Sequence, residues 1–574
     1  MTAPAPNPTT LPVTASDRPS RAGVPAGILV TAVLFGLACG AFEITNTSIG
    51  WHIASGRWML EQREILDRDP FSFTSGGADW IDHEWLFQII VAGLFDAGGA
   101  PLLVALRMLL VALLTVLLLR IAISSGLDPP FALVLAALCV LGARPRFFLR
   151  PELFTLVLLP LSLWLFSDRR GRRWWPLPVV LVIALGANLH GAILVAPILI
   201  SAWFAGEVLD QLTRRQADPG SLRSGAAGVV AAFAAPLLNP HGAAIWSVPF
   251  TLADMVRMPH IPNPEWISPT PATAPWFFLA AAFAAAVLAV GSRSPRDWFT
   301  AAAAVVLALR HIRNIGLFFV LLPQTVAPAM ARWPLLARGG VPDAPLRRRR
   351  SALCLALVVV LALAAALRPW PRAGLDFADR WYPDRAWRFL ETHELSGRPL
   401  YNDVRFGGWL AMHAYPDQRI FLDDRNEIHE PLLREMWEIL TASDVDAWEA
   451  LLGRWNIDTV LLRYHEPIQV ATPDGHDLGR RGFSTLWFSP DRWALLYWDD
   501  AAMVLVRRDS VSDDLLTRRE LRIFRPDDVE HVLDQARRDP SYRSAVAVEL
   551  QRVLADDPEC FRALTLANKL AKQH

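Results

Sequence analysis

Long apolar runs constrain this chain more than any other feature of its sequence. Eleven of them are present, at residues 26–42, 100–119, 129–143, 151–167, 175–188, 190–208, 224–238, 275–291, 297–310, 314–332 and 351–367. A membrane-crossing helix needs about 20 mostly apolar residues, so the shorter runs require flanking polar residues or packing inside a bundle. Since 53% of the 574 residues are hydrophobic, the pattern predicts an α-helical polytopic membrane bundle of about 11 spans.

Arginine placement predicts how this bundle is oriented. The arginines of the short loops cluster at 18–21, 169–173, 214–223, 293–296 and 338–350. Counted along eleven spans, every cluster falls on the same side of the membrane. Because cytoplasmic loops carry the excess of basic residues, that side is the cytoplasm. We therefore expect a cytoplasmic N-terminus and, after eleven crossings, an extracytoplasmic C-terminal part.

Composition divides the chain into four parts. Residues 1–25 are rich in Pro, Thr and Ala and predict a disordered cytoplasmic N-terminus. The run 26–42 is typical of an uncleaved signal anchor, with a cleaved signal peptide as the alternative. The other predicted parts are a transmembrane domain at 26–367 with a large first outer loop at 43–99, an extracytoplasmic α/β domain at 368–510 and a helical tail at 511–574.

Short patterned segments predict the elements of the outer part. Buried strands are expected at 399–402, 419–422 and 458–462, a helix at 429–453, and a hairpin from 493–498 and 502–506. Residues 526–573 predict helices with a turn at 555–559. One helix pair resembles a single tetratricopeptide-type unit. Because a lone repeat cannot bury its own apolar face, we expect it to pack on the outer domain.

Charge, cysteine content and motifs exclude several classes of protein. The net charge is zero and the basic residues form no continuous footprint, which argues against a nucleic-acid partner. The four cysteines show neither a disulfide framework nor the Cys/His spacing of a zinc site. The sequence contains neither a P-loop nor a glycine fingerprint that opens a helix after a strand, so no nucleotide site is predicted.

The first outer loop concentrates carboxylates between two apolar runs. Asp67 and Asp69, two positions apart, point to the same side of an extended segment and form a candidate metal-binding pair. Asp82, His83 and Glu84 form a second polar group. A carboxylate just outside the lipid could take a proton from an acceptor hydroxyl. The alternative is that these acids belong to ordinary loop turns.

Arginines also lie on the predicted outer side, against the general pattern. Arg144, Arg146 and Arg150 share one short turn, which indicates an anionic ligand such as a lipid phosphate. The alternative is that they bind ordinary headgroups or the loop acids. Arg107, in the outer third of its span, is either a snorkelling residue or a functional charge that faces the bundle interior.

Other outer turns add polar residues to the same predicted surface. The further site candidates are His52, His83, His190, Glu265, Arg310, His311 and Arg313. His190 and His241 follow span ends beside a glycine, a position more typical of a hydrogen-bonded interfacial histidine than of a ligand. The segment 85–95 is apolar but short, so we expect a helix lying at the membrane interface.

Several sequence strings together resemble one group of proteins. They are GWHIASGRW (50–58), DPFSFT (69–74), HEWL (83–86), RPELF (150–154), NLHG (188–191), LNPHG (238–242), EW (265–266), FGGWL (406–410) and FLDDR (421–425). Through them, residues 40–510 resemble polytopic bacterial membrane proteins related to the GT-C glycosyltransferases, a superfamily that includes protein O-mannosyltransferases and aminoarabinose transferases. Many members of this bacterial group have no assigned reaction.

The resemblance implies a multi-span fold, a catalytic acid in the first outer loop and a lipid-phosphate sugar donor. Relatives often carry an Asp just before the tryptophan-histidine string, whereas this chain has Asn46-Thr47-Ser48 there. The base would then be Glu43 or one of the loop acids Asp69, Asp82 and Glu84, and Arg144, Arg146 and Arg150 would bind the donor phosphate.

The expected function is hexosyl or pentosyl transfer from a polyprenyl-phosphate carrier to an extracytoplasmic acceptor in cell-envelope glycan synthesis. The expected partners are the lipid bilayer of a bacterial inner membrane, the lipid-linked sugar and a glycan, lipid or protein acceptor; Mg²⁺ or Mn²⁺ is a possible cofactor. The missing Asp favours the alternative, a catalytically inactive scaffold or binding protein of an envelope assembly. A transporter would predict inverted repeats, and the sequence shows none.

Overall fold

The computed structural model describes residues 24–168, 174–215, 218–255, 257–259, 264–340, 343–367, 372–471 and 477–572. The predicted disordered segment 1–25 therefore falls almost entirely outside the described residues, and so does the arginine cluster at 169–173. The described part of the chain is mostly helical, with its strands confined to the region after residue 399.

A helix occupies each of the eleven predicted apolar runs, and two more, α2 and α9, lie in predicted outer loops. In chain order the helices of this part are α1 (Ala26–Gly40), α2 (Ile49–Gln62), α3 (Trp85–Ser124), α4 (Pro129–Ala143), α5 (Glu152–Ser167), α6 (Pro176–Leu189), α7 (Ala196–Thr213), α8 (Pro219–Ala234), α9 (Val248–Met255), α10 (Pro275–Gly291), α11 (Pro295–Arg310), α12 (Ile315–Met330) and α13 (Ala344–Ala366). Short 3₁₀ turns extend them at Arg144–Arg146, Gly191–Val195, Ala235–Leu238, Gly242–Ser247, Pro264–Trp266 and Ile312–Asn314.

Several of these helices are built to cross a membrane. Over the described residues, 6 helical segments are long and apolar enough to do so, at Trp85–Ser124, Pro129–Arg146, Gly191–Thr213, Pro219–Leu238, Ile312–Met330 and Ala344–Ala366. The shorter helices α1, α5, α6 and α10 are also apolar. Lipid offers no hydrogen-bond partners to the backbone, whereas a helix pairs its backbone N–H and C=O groups internally. The chain is therefore a multi-pass membrane protein, while the number of eleven crossings stays a prediction.

The predicted interfacial helix is the first part of α3. This element runs from Trp85 to Ser124 but is interrupted at Gly98 and Gly99, whose backbone dihedrals are not helical. The φ of Gly99 is 67°, in the left-handed region that a residue without a Cβ adopts readily, and Pro101 follows. The segment before the kink packs on α2, so it belongs to the wall of the first outer loop.

The outer domain contains a mixed four-stranded sheet. Its strands lie in the order β1 (Leu400–Asn402), β2 (Thr459–Arg463), β6 (Ala502–Arg507) and β5 (Trp493–Trp498). β1 and β2 are parallel and the other pairs antiparallel. A separate two-stranded ladder is formed by β3 (Ile468–Ala471) and β4 (Asp477–Arg481). The predicted strands at 399–402 and 458–462 and the predicted hairpin are confirmed.

Two predicted elements of this domain are wrong. Residues 419–422 form no strand of the sheet, because Ile420 instead makes a single parallel bridge to Ser72 of the first outer loop. The helix expected at 429–453 is divided at Ser443, which ends the first half in a left-handed conformation with φ of 54°. The helices of the outer part are α14 (Asp384–Thr392), α15 (Val404–His413), α16 (Asn426–Ala442), α17 (Val445–Arg454), α18 (Phe483–Trp487), α19 (Asp513–Arg519), α20 (Val529–Arg538), α21 (Pro540–Asp556) and α22 (Phe561–Ala571).

The sheet is buried on both faces, each against a different hydrophobic core. Leu461 and Val504 belong to the core that continues into the membrane bundle. Their strand neighbours Leu462 and Leu505 belong to a second core, shared with the tail helices. Alternate residues of a strand point to opposite faces, so one sheet connects the bundle to the tail.

The tail helices pack on the outer domain. Val546 of α21 and Leu566 of α22 lie in the same core as Trp493 of the sheet. The Asp500 carboxylate, in the β5–β6 turn, accepts hydrogen bonds from the backbone N–H groups of Phe561 and Arg562 at the start of α22. The predicted turn at 555–559 separates α21 from α22, as expected.

The first outer loop docks on the outer domain through close backbone contact. Helix α2 packs on α15, and a Cβ added at Gly50 would lie 2.3 Å from the carbonyl oxygen of Gly408. Phe73 N donates to Ile420 O at 3.1 Å, and Ile420 N donates to Phe71 O at 3.0 Å. Residues without a side chain let the two backbones meet at this distance.

Candidate functional site

A largely buried carboxyl group with three histidines around it lies at the helix ends of the described bundle. Glu84 Oε1 lies 3.6 Å from His83 Nε2 and 3.8 Å from His190 Nε2, and its Oε2 lies 3.9 Å from His52 Nε2. We call these four residues the Glu84 cluster. They come from α2, from the residues just before α3, and from the end of α6, so the helix ends of the bundle bring them together.

Each histidine is held by its own contacts. His190 Nδ1 lies 2.9 Å from Thr155 Oγ1, and the His52 ring packs edge-on against Phe87 with centroids 4.9 Å apart. A Cβ added at Gly191 would come within 3.0 Å of the His83 ring. Gly191, the residue after His190, therefore leaves room for the His83 ring. This accounts for the adjacent His and Gly of the NLHG string.

Burial sets the protonation states of the cluster. It raises the pKa of Glu84 well above its usual value, with a further contribution from the nearby Asp82 carboxylate. Burial also lowers the pKa of His52, lowers that of His83 to about 4 and lowers that of His190 to about 3. At neutral pH the histidines are therefore uncharged. Glu84 holds its proton to a higher pH than an exposed carboxyl group does.

Asp82 lies behind this cluster and is almost fully buried. Its Oδ1 accepts hydrogen bonds from Gln88 Nε2 at 2.7 Å and from Glu84 N at 3.3 Å. Burial raises the pKa of Asp82 to about 7. His241 Nε2 lies 3.1 Å from the Asp82 carbonyl oxygen, so the expectation of a hydrogen-bonded His241 is confirmed. Asp82 shapes the loop that presents Glu84.

The other predicted acids lie elsewhere. Asp69 is buried and accepts hydrogen bonds from Phe71 N and Ser72 N, and it forms an ion pair with Arg425 at 2.9 Å. Asp67 is exposed, so the two carboxylates of the candidate metal pair do not face one site. The turn 69–78, closed by the bond from Gly77 N to Asp69 O, directs them to different sides.

Glu43 lines a different cavity of about 910 Å³, together with Arg372, Asp376 and Arg380. The described lining of this cavity includes no member of the Glu84 cluster. Glu43 N donates to Arg372 O at 3.0 Å, and a Cβ at Gly374 would lie 2.6 Å from Glu43 Cγ. Glu43 thus belongs to the junction between α1 and the start of the outer domain.

The three outer arginines separate into a pair and a single residue. Arg146 lies 3.1 Å and Arg150 lies 3.3 Å from Glu265, so this acid joins them. Arg146 is also paired with Glu152. Arg144 instead donates to a backbone carbonyl of α13, at Ala365. Of the three, Arg150 is the one whose charge acts on both Glu84 and His52.

The turn at Arg310–Asn314 contributes one further cation. Arg313 lowers the pKa of Glu84, against the raising effect of burial, and its guanidinium lies 5.9 Å from the Trp266 ring centroid. His311 Nδ1 lies 2.6 Å from Trp266 O. Arg310 is exposed at the end of α11. Of the residues predicted in this turn, Arg313 therefore reaches the cluster electrostatically, and His311 holds the adjoining turn.

Arg107 faces the bundle interior, one of the two alternatives that its position left open. Its side chain is fully buried, its Nε donates to Gly40 O at 2.8 Å, and its guanidinium stacks on the Phe42 ring at 3.7 Å. It closes the C-terminal end of α1 and does not belong to the Glu84 cluster.

The outer domain forms the opposite wall of the site, which sequence reasoning missed. Glu427 Oε1 accepts a hydrogen bond from Trp80 Nε1 at 3.2 Å, and its charge raises the pKa of Glu84. Asp424 has a pKa raised by burial to about 6 and is under the influence of Arg150. These acids belong to the FLDDR string and the residues after it, which carried a resemblance signal but no assigned role.

Arg425 connects the two walls. It is fully buried, and it pairs with Asp69 of the first outer loop and, at 2.8 Å, with Asp423 of the outer domain. His429 Nε2 lies 3.1 Å from Asp423 Oδ1. The rings of Trp51 and Trp80 flank the guanidinium. Buried charges of this kind are tolerated when they are paired, so the network fixes the loop on the domain.

The comparisons with known proteins concern the fold. No protein-family model matches the chain, and no curated protein matches it significantly. Solved structures of the Archaeoglobus fulgidus oligosaccharyltransferase are similar at 12% sequence identity. The apo form gives a TM-score of 0.52 over 79% of this chain and 74% of the other. AglB of the same organism in complex with an inhibitory peptide and a dolichol-phosphate gives 0.52 over 81% and 76%. The form tethered to an acceptor peptide with the NVT sequon gives 0.51 over 81% and 76%.

At this level of identity the similarity establishes the architecture. The chain shares the overall fold of the oligosaccharyltransferase, a mostly helical membrane part with a smaller part that contains the sheet. The relation to the GT-C glycosyltransferases stays a proposal. The reaction, the donor and the residues that perform it are matters of proposal.

Proposed function

We propose that the chain is an integral membrane glycosyltransferase that moves a sugar from a polyprenyl-phosphate carrier to an extracytoplasmic acceptor in cell-envelope glycan synthesis. The observation that carries the proposal is the buried Glu84 carboxyl, set among His52, His83 and His190 and within electrostatic range of Arg150. The choice of donor is supported by the fold, because a similar structure was solved with a dolichol-phosphate.

Glu84 is the proposed general base. As the acceptor oxygen attacks the anomeric carbon, the Glu84 carboxylate takes the hydroxyl proton, and the bond from that carbon to the phosphate oxygen breaks. The departing phosphate keeps the bonding electrons, and Arg150 and Arg313 stabilise its negative charge. Glu265 holds Arg150 and Arg146 in place, and the charge of Arg150 also acts on Glu84. Asp82 supports the loop, and Asp69 fixes it to the outer domain.

The pKa of Glu84 gives this mechanism a pH dependence. Because burial raises that pKa, Glu84 carries its proton to a higher pH than an exposed glutamate. The base must be unprotonated to act, so turnover rises as the pH passes upward through its pKa. Asp424, with a pKa of about 6, adds a second ionisation.

The residues do not fit the Mg²⁺ or Mn²⁺ that the resemblance implies. The groups within 4 Å of the Glu84 carboxylate are three imidazoles, whereas these cations prefer oxygen ligands. Within the described residues no group of three or more His, Cys, Asp and Glu side chains is arranged to hold a metal ion. The proposed mechanism uses no divalent cation, and we expect turnover to persist in EDTA.

The proposed location is a bacterial inner membrane, with the N-terminus in the cytoplasm and the residues after 367 outside. The arginine clusters in the loops support this orientation. Reporter fusions test it: an alkaline phosphatase joined after residue 574 should be active, and one joined in the loop at 214–218 should be inactive. The opposite pattern would contradict the topology.

Activity is tested with purified protein and a panel of polyprenyl-phosphate sugars, with release of the polyprenyl phosphate as the readout. Glu84→Gln should lower turnover at least about 100-fold, the usual contribution of a general base. Glu61→Gln, which changes an exposed acid on α2, is the matched control. Full activity of Glu84→Gln would contradict the base assignment.

Arg150 is tested in the same assay with a control from the same set of predicted residues. Arg150→Gln should lower turnover, while Arg310→Gln should leave it unchanged because Arg310 is exposed at the end of its helix. If folded wild-type protein turned over none of the polyprenyl-phosphate sugars, with or without metal, the result would contradict a transferase and favour a catalytically inactive scaffold.

A further inference from the structure

A second cavity lies between the outer domain and the tail helices. Its volume is about 880 Å³, within the range of ligand-binding clefts. We call it the tail cleft and define it by Arg380, Arg405, Trp381, Tyr464, Phe561 and Lys569. Its described lining contains no residue of the Glu84 cluster. It adjoins the cavity that contains Glu43 and shares with it Arg380, Trp381, Asp500, Ala501 and Phe561.

The described lining contains five basic and four acidic side chains, and the basic ones are poorly paired. Within the described residues, no acidic side chain lies within 4 Å of the charged groups of Arg380, Arg405, Arg562 or Lys569. Of the lining acids, Asp500 accepts from the backbone N–H groups at the start of α22 and Asp527 accepts from Ser484. These hydrogen bonds leave both carboxylates charged, so with Glu466 and Glu530 the described lining has four acidic side chains against five basic ones, a small positive excess. The four cations without an acidic partner among the described residues are the groups that an anionic ligand can pair with.

Aromatic surface accompanies these charges. Phe561 is 56% exposed although it is a large apolar residue, and Arg380 lies 5.3 Å from its ring centroid. Arg562 stacks on the Tyr464 ring at 3.6 Å. Aromatic faces and guanidinium groups side by side suit a ligand that presents both apolar ring faces and anions.

The position of Arg405 relates this cleft to the Glu84 site. Arg405 stands at the start of α15, the helix whose Gly408 contacts α2. It lies within electrostatic range of Arg463 on the cleft side and of Arg150 and Asp424 on the membrane side. A chain bound in the cleft would therefore lead past Arg405 toward Glu84.

We propose that the tail cleft binds the acceptor as an anionic glycan, a sugar chain that carries carboxylate or phosphate groups. The role as acceptor rests on the proposed function, whereas the binding itself does not. The sugar rings lie against Phe561 and Trp381, and their anionic groups pair with Arg380, Arg405 and Lys569. Arg405 contacts the part of the sugar chain that extends toward the Glu84 cluster.

Binding is measured on the purified full chain with two end-labelled probes, a galacturonic acid hexamer and the neutral maltohexaose. The anionic hexamer should bind and the neutral one should bind at least about tenfold more weakly, with an affinity for the former that falls as salt is raised. A phosphorylated maltohexaose distinguishes the two anionic groups: binding equal to that of the galacturonate shows that either is accepted.

The double variant Arg380→Gln/Lys569→Gln should weaken the galacturonate at least about fivefold, since each exposed ion pair contributes up to roughly that factor. Lys572→Gln, on an exposed lysine near the end of the same helix that is outside the cleft lining, is the matched control and should bind like wild type. Equal binding of neutral and anionic hexamers, or equal affinity of double variant and control, would overturn the proposal.

The two proposals fail separately. Turnover of lipid-linked sugar by a protein that does not bind the hexamer would refute the cleft and leave the transferase. Binding of the hexamer by a protein without turnover would leave the cleft as a glycan site and refute the transferase.

Discussion

The buried Asp82 carboxyl gives a stability difference that depends on pH in a defined direction. Its pKa is raised by burial from 3.8 to about 7. The folded state therefore binds this proton more tightly than the unfolded state. Its contribution to stability is fully present below pH 3.8 and is lost as the pH rises through about 7. A shift of about three pKa units corresponds to about 4 kcal/mol, as an order of magnitude.

Asp82→Asn removes the titrating group while its Oδ1 can still accept from Gln88 and Glu84 N. Relative to wild type, the free energy of unfolding of this variant should increase between pH 4 and pH 8 by up to about 4 kcal/mol, which is a few degrees in Tm. Thermal melts of both proteins in the same detergent at half-unit pH steps measure this difference. Asp67→Asn changes an exposed acid of the same loop and should follow wild type at every pH. Melting temperatures of Asp82→Asn and wild type that run parallel across the range would refute the reasoning.

Three other variants test how the loop, the outer domain and the tail are held together. Gly50→Ala places a methyl group 2.3 Å from a backbone oxygen, so it should lower stability by about 1 to 3 kcal/mol and abolish turnover. The control Gly27→Ala meets nothing within 4 Å and should melt at the wild-type temperature or higher. Arg425→Met leaves the Asp423 carboxylate without its ion pair and should cost about 3 to 5 kcal/mol, seen as faster proteolysis of the first outer loop; unchanged cleavage would contradict a linking role. Asp500→Ala removes the cap of α22 and should cost about 1 to 2 kcal/mol, measured as faster amide exchange in that helix, with unaltered exchange as the contrary result.

The elements of the chain could be predicted where local pattern decides the structure. The apolar runs became helices, and residues 493–498 and 502–506 became a hairpin because alternating residues face two cores. Residues 419–422 have the same apolar character and were wrongly predicted as a strand of the sheet. Their partner is Ser72, almost 350 positions earlier, and no local pattern carries that information.

The sequence predicted which residues belong to the candidate site but not how they are arranged in space. Glu84 and the three histidines were recognisable because polar side chains gather at the outer helix ends. Which of Asp69 and Glu84 is free to act as a base depended on Arg425, a residue distant in sequence that forms an ion pair with Asp69. Once that acid is engaged in an ion pair, Glu84 is the carboxyl left facing the histidines and Arg150.

The asparagine at the position where the resemblance leads us to expect an acid has a structural role here. Asn46 is buried, and its Nδ2 donates to Leu149 O at 2.9 Å, the carbonyl that precedes Arg150. Its own carbonyl accepts from the Tyr382 hydroxyl at 3.2 Å, which ties it to the start of the outer domain. A carboxylate has no N–H group to donate, so an aspartate would lose the bond to the turn and place its charge against a carbonyl oxygen. Position 46 therefore aligns the arginine turn in this chain. The proposed transferase would then take its base from another residue, and Glu84 is the carboxyl that we propose for that role.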